Sequence, residues 1–187
     1  MIDLKKYYQI YRGLDSERDF SGLKESIAWQ TFSGKMFGRT VIFPRQSAFY
    51  SDRSRIYQYS GTRHESILFS KELLAIKKRI EEVFAETWNA CLCNLYADGS
   101  EYMGWHADNE KVIDQSIGIV LCSYGATRRF GFRPFADKNN ARAEFIELSH
   151  GDILMMSAGC QSLIKHALPK QASSQEERIS LTWRYFH

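Results

Sequence analysis

Proline is scarce, at three residues in 187, and the chain has no Cys-x-x-Cys pair, no low-complexity segment and no internal repeat. These absences exclude a proline-rich spacer, a CxxC-type zinc ribbon or thioredoxin-like redox motif, and a solenoid or propeller. No apolar run approaches the roughly 18 residues that a membrane-spanning helix needs. The opening MIDLKKYYQI also lacks the apolar stretch of a secretory signal. A cytoplasmic protein without membrane contact is expected, or a nuclear one in a eukaryote. Charge of one sign is missing too: 25 Lys and Arg stand against 22 Asp and Glu, a net charge of +3. That balance allows an anionic partner without requiring one. The four cysteines, Cys91, Cys93, Cys122 and Cys160, read as buried free thiols in a reducing compartment, with a zinc or disulfide role for Cys91 and Cys93 as the minor alternative.

What is present is a hydrophobic content of 44% with a generous 14% of aromatics, an ordinary globular composition. Residues 16–29 carry Phe20, Leu23 and Ile27 at helical spacing, and the spacing predicts a first amphipathic helix there. Residues 71–87 predict a second, with Ser70 as N-cap and Leu73, Leu74, Ile76, Ile80, Val83 and Phe84 on one side. Lys77, Lys78 and Arg79 read as its solvated face. From Cys91 onward the texture becomes short strands, at 91–96, 116–122, 127–133, 143–148, 152–157, 162–168 and 178–185, separated by Gly, Asp, Asn and Ser turns. The expectation is one α+β domain over 1–187. Helices, a hairpin and a lid would occupy about 1–90, and a jelly-roll or barrel core 91–187. A monomer is expected.

The densest segment is NLYADGSEYMGWHADNEK. It leaves a strand at Tyr96, turns at Asp98-Gly99 and presents His106-Ala-Asp108. In extended chain, residues two apart point the same way, so this imidazole and carboxylate can meet one ion. A second histidine would complete a face of two nitrogens and one carboxylate, leaving sites for Fe(II) oxygen chemistry. His64, His150, His166 and His187 are the candidates. His64 sits in the polar SGTRHES stretch, His150 in a turn and His187 at the terminus. His166, in SLIKHALP, has the best strand context. Arg178 and Arg184 lie an even separation apart on the last strand, on the face opposite Ile179, Leu181 and Trp183. Two guanidiniums turned into a barrel need anions, and a dicarboxylate would supply them.

Together these pieces resemble the AlkB family of Fe(II)- and 2-oxoglutarate-dependent dioxygenases. The likeness rests on N-x-Y-x-D-G at Asn94, Tyr96, Asp98 and Gly99, then H-x-D at His106 and Asp108, then His166, then R-x5-R at Arg178 and Arg184. It runs from about Gly34 to Arg184. It implies a double-stranded β-helix, with iron held by His106, Asp108 and His166, and 2-oxoglutarate and O2 as co-substrates. Asn94 and Tyr96 would hydrogen-bond 2-oxoglutarate, Arg184 would pair with its distal carboxylate, and Arg178 would contact the end near the metal together with Asp108. Ser180 stands where many members have Asn.

The resemblance also implies the substrate: alkylated bases such as 1-methyladenine and 3-methylcytosine in DNA, with RNA possible. Hydroxylation of the methyl group would release formaldehyde and leave succinate. Phe37, between Met36 and Gly38, falls at the position of a wedge that fills the gap left by a flipped base. Tyr59 would stack on that base, and Tyr57 and Glu110 would hydrogen-bond its edge. Asn109 replaces the family's acidic residue after the metal-binding Asp, with loss of a charge that would favour a cationic methylated base. Arg39, Arg45, Arg53, Arg55, Lys138 and Arg142 are candidate phosphate contacts. The competing readings are the same chemistry on RNA or a protein side chain, and a non-enzymatic nucleic-acid-binding module.

Overall fold

The computed structural model describes residues 2–36, 39–59 and 62–187, with backbone alone at 35, 36, 39, 40 and 59. Its strands are β1 (Tyr8–Tyr11), β2 (Gln30–Met36), β3 (Arg39–Ser51), β4 (Ile56–Tyr59), β5 (Thr62–Glu65), β6 (Ile67–Leu68), β7 (Ala90–Tyr96), β8 (Met103–His106), β9 (Ile119–Gly125), β10 (Arg128–Pro134), β11 (Glu144–Leu148), β12 (Asp152–Met156), β13 (Ile164–Leu168) and β14 (Arg178–Arg184). The α-helices are α1 (Phe20–Glu25) and α2 (Lys71–Phe84). The large sheet runs β1-β12-β9-β14-β7-β3-β2, with β6 beside β3, and the small sheet runs β11-β10-β13-β8. β4 and β5 form a separate ribbon. Among the described residues every strand pairing is antiparallel except β3 with β6.

The large sheet is covered on both faces, which is why β7 and β14 are buried along their whole length. Leu73, Ile76 and Ile80 of α2 pack with Cys91, Cys93, Leu181 and Trp183 on one side. On the other, Tyr96, Leu121 and Leu154 meet Phe130, Phe132 and Leu168 of the small sheet. The site lies between the two sheets, so the few polar residues of β7 and β14 that point inward are conspicuous.

α2 matches its sequence signature. Ser70 caps it by accepting from the Leu73 amide, and left-handed Ala85 ends it. Its buried stripe is narrower than expected, because Leu74 and Val83 remain 49% and 43% exposed. α1 is shorter than the expected 16–29. Asp19 caps it only at Phe20, and the flanks are held otherwise: Asp15 accepts from distant Tyr124, and the Trp29 indole turns back to donate to the Lys24 carbonyl. The strands predicted from Cys91 onward are present within about three residues of their expected starts. The four cysteines are buried and free, with the Cys91 and Cys93 sulfurs 3.8 Å apart.

Candidate active site

Strand register builds the site. His106 on β8 and His166 on β13 are direct cross-strand partners, and their rings stand 4.2 Å apart. Asp108, two residues beyond His106, is fully buried and lies against both. Its Oδ1 is 3.8 Å from His106 Nε2, and its Oδ2 is 3.8 Å from His166 Nε2. The loop carrying Asp108 is held from both sides. Its amide donates to Gln161 Oε1, and its carbonyl accepts from Gln115. Upstream, Arg128, also fully buried, donates to the carbonyls of Asp98, Glu101 and Pro169 and so fixes the turn that delivers β8.

Electrostatics set the protonation states. His106 Nδ1 lies 2.8 Å from the Gly104 carbonyl, an atom that can only accept, so Nδ1 carries the proton and Nε2 presents a lone pair. Burial pushes His166 down to about 3 and lowers His106 as well. For Asp108 burial acts in the opposite sense, but Arg184 overrides it and holds the carboxyl at about 2. With both imidazoles neutral, Arg184 carries that effect. Arg184 donates to Asp108 Oδ2 from Nε at 3.0 Å and from Nη2 at 2.7 Å. Asp108 Oδ1 and His166 Nδ1 are buried with no hydrogen-bond partner among the described residues. Two neutral imidazoles and an ionised carboxylate converge here, an arrangement that a cation satisfies. The three ligand atoms lie within 4.8 Å of one another. Two nitrogens and one carboxylate suit Fe(II).

Beside this cluster opens a cavity lined by Asn94, Tyr96, Arg178 and Arg184 together with both histidines. β7 and β14 face each other in register, Arg178 opposite Tyr96 and Ser180 opposite Asn94, which places these side chains on one wall. Asn94 Oδ1 accepts from Arg45 Nε at 3.0 Å and from Ser47 Oγ at 2.9 Å, leaving its amide N–H groups for the cavity. Arg178, 1% exposed, donates to Ser123 Oγ at 3.1 Å, while its Nη2 has no partner among the described residues.

Several expectations need correction. Arg184, not Arg178, sits on Asp108, because the loop after β8 folds back over the far end of β14. Tyr57 is completely buried among Phe49 and Phe186, and its hydroxyl donates to Glu110 Oε1 at 3.0 Å, leaving Glu110 Oε2 without a partner among the described residues. Asn109 is exposed. His64 is a buried partner of Tyr57 in the β4–β5 ribbon rather than part of a polar loop. Arg45 is buried on Asn94 and Arg55 is tied to Asp52 and the His187 carbonyl, so neither is a free phosphate contact. Arg53, Lys138 and Arg142 are exposed. Phe37 and the side chains of Tyr59 and Arg39 lie outside the described residues. Arg128, Gln161, Gln115 and Ser47 were missed. Only Arg128 left a sequence signal, an inward strand position shared with Phe130 and Phe132.

Comparison with known proteins agrees with this geometry. Alpha-ketoglutarate-dependent dioxygenase alkB homolog 3 of Bos taurus is 31% identical over 177 residues, 91% of this chain and 61% of that protein. The chain thus spans about three fifths of that relative. DNA oxidative demethylase ALKBH2 of Mus musculus is 28% identical over 188 residues, 95% of this chain and 78% of its own. The solved structure of OsALKBH1 superposes with a TM-score of 0.69 at 15% identity, covering 95% of this chain and 96% of that one, a likeness of fold. Among the described residues no helix is long and apolar enough to cross a membrane. Residues 15–184 match the 2OG-Fe(II) oxygenase superfamily, and the chain belongs to it as an AlkB-like member.

Proposed function

We propose that the chain is an Fe(II)- and 2-oxoglutarate-dependent oxidative demethylase of N-alkylated bases, with 1-methyladenine and 3-methylcytosine in DNA as the first substrates to test. The observation that carries the reading is the His106–Asp108–His166 cluster opening onto a cavity with a buried, incompletely paired Arg178. Bound iron, with 2-oxoglutarate and O2, supplies the oxidising power to hydroxylate a methyl group, one oxygen entering the methyl and the other appearing in succinate. The hydroxymethyl then leaves as formaldehyde.

The chain's own residues position and tune. His106, Asp108 and His166 hold the iron, and burial keeps both imidazoles neutral as ligands. Arg184 keeps Asp108 ionised and orients it. Arg178 takes the distal carboxylate of 2-oxoglutarate, with Tyr96 and the Asn94 amide as its neighbours. Tyr57 orients Glu110, whose second oxygen has no partner among the described residues and is an acceptor for the edge of a base. Tyr59 stacking and a Phe37 wedge belong to the same proposal, since a methyl on the pairing edge is reachable only when the base is unpaired or flipped.

The test is formaldehyde and succinate release from oligonucleotides carrying each base, single- and double-stranded DNA and RNA, with Fe(II), ascorbate and 2-oxoglutarate. Release that disappears in His106→Ala is expected. No release from any of them would remove nucleobase demethylation. Succinate formed without formaldehyde would point to hydroxylation of a different substrate, such as a protein side chain. Full duplex activity in Phe37→Ala would remove the wedge.

A further inference from the structure

The small sheet has a second face. The alternation that turns His106 and His166 inward turns Trp105 and Lys165 outward. Gly131, in the middle of β10, is partnered by Phe145 on β11 and by Ala167 on β13. The centre of this outer face is therefore nearly bare backbone, and two aromatic rings lie over it. A Cβ added at Gly131 would meet ring carbons of both Trp105 and Phe145 at 2.8 Å, so glycine is what lets the rings settle there. Their centroids are 6.2 Å apart.

Cations flank the pair. The Arg129 guanidinium lies 4.3 Å over the Phe145 ring, and that of Arg133 lies 4.9 Å over Trp105. Lys165, the cross-strand partner of Arg133, lies 4.6 Å over Phe135. Glu147 is the cross-strand partner of Arg129, and Asp137 lies within electrostatic reach of Arg133. Phe145 and Phe135 remain 42% and 41% exposed. Arg133 is 9% exposed; its Nη1 donates to Asn140 Oδ1, and its buried Nε has no partner among the described residues.

Flat rings alternating with cationic side chains match a ligand that alternates flat bases with phosphates. Bases stack on the rings or on the guanidinium planes over them, and the cations take the phosphates. A duplex hides its base faces and would use the charges alone. We propose that the outer face of the small sheet, built on Trp105 and Phe145 with Arg129, Arg133 and Lys165, is a docking track for a strand of unpaired nucleotides. It rests on the reading that nucleic acid is the substrate, and it holds that substrate on the strands whose inner face carries His106 and His166.

The probe is an unmodified fluorescent oligothymidylate, its binding followed by anisotropy against a matched duplex and against polyglutamate. Phe145→Ala is expected to weaken strand binding about tenfold, with Phe145→Trp restoring it. Arg129→Ala is expected to reduce the slope of log affinity against log salt by about 0.7. Should Phe145→Ala fail to fold, by its melting curve, exposed Arg129 decides. Wild-type affinity in both variants, no strand binding by the wild type, or an equal loss toward polyglutamate would overturn the track. Demethylation is scored separately. A wild type that releases no formaldehyde while Phe145→Ala loses strand affinity keeps the track and removes the demethylase reading. The converse keeps the demethylase and removes the track.

Discussion

Arg178 and Arg184 stand at opposite ends of one strand, equally buried, on the same face and lining the same cavity. Their partners differ. Arg184 makes a two-pronged contact with Asp108, and although burial works against its charge, Asp108 raises its affinity for the proton. Arg178 has the Ser123 hydroxyl and the Tyr96 ring 5.7 Å away. Burial lowers it to about 10, Tyr96 opposing and Arg128 adding to the drop. One end of the strand has its counter-ion within the protein, although Arg184 Nη1, like Arg178 Nη2, has no hydrogen-bond partner among the described residues. The other carries a desolvated charge with donor capacity unspent, which is how a preorganised anion site looks before its ligand arrives.

That contrast can be broken most severely at the paired end. Arg184→Met strands a buried carboxylate, and the metal-free protein is expected to lose about 3–5 kcal/mol in urea unfolding. Acid attacks the same end. His64, His106 and His166 all bind protons less readily folded than unfolded, burial being the main cause. A lowered folded value means stability is present above the unfolded value of about 6.5 and drains as pH falls below it. For His166 the loss continues toward about 3. Thermal unfolding in EDTA from pH 8 to 4 should show melting temperature falling from near pH 6.5, while a flat profile would contradict the burial of these rings.

The open end behaves otherwise. Arg178→Met removes a charge that lacks an internal counter-ion, so urea stability should change by less than about 1 kcal/mol. The KM for 2-oxoglutarate should rise about tenfold to a hundredfold, measured by succinate formation. Equal destabilisation by both arginine substitutions would erase the distinction. The smallest effect is expected at Arg45, which aims Asn94: Arg45→Ala should raise that KM about fivefold with little change in kcat.

Legibility in the sequence followed locality. His106 and Asp108 were readable because two-residue spacing in extended chain is a local fact, and the strands of the core announced themselves through apolar runs between turn residues. The shared face of Arg178, Ser180, Thr182 and Arg184 was readable for the same reason. Arg128 escaped notice because its partners are three carbonyls, which have no side-chain signature. α1 is shorter than its spacing suggests because helical periodicity at 16–29 competes with the long-range bond from Tyr124 to Asp15 and with the local turn that the Trp29 indole closes on the Lys24 carbonyl.

The sequence by itself determined which donors exist and in what order, since strand alternation and side-chain chemistry travel with the chain. It determined the sheet-rich core and the need for anions beside the last strand. Only the tertiary structure decided that His106 faces His166 in register, that Arg184 rather than Arg178 holds Asp108, and that Tyr57 is spent inside the core on Glu110. Those outcomes depend on how β8, β13 and β14 are aligned across gaps of many residues. A shift of one residue in that alignment would turn each of these side chains to the other face.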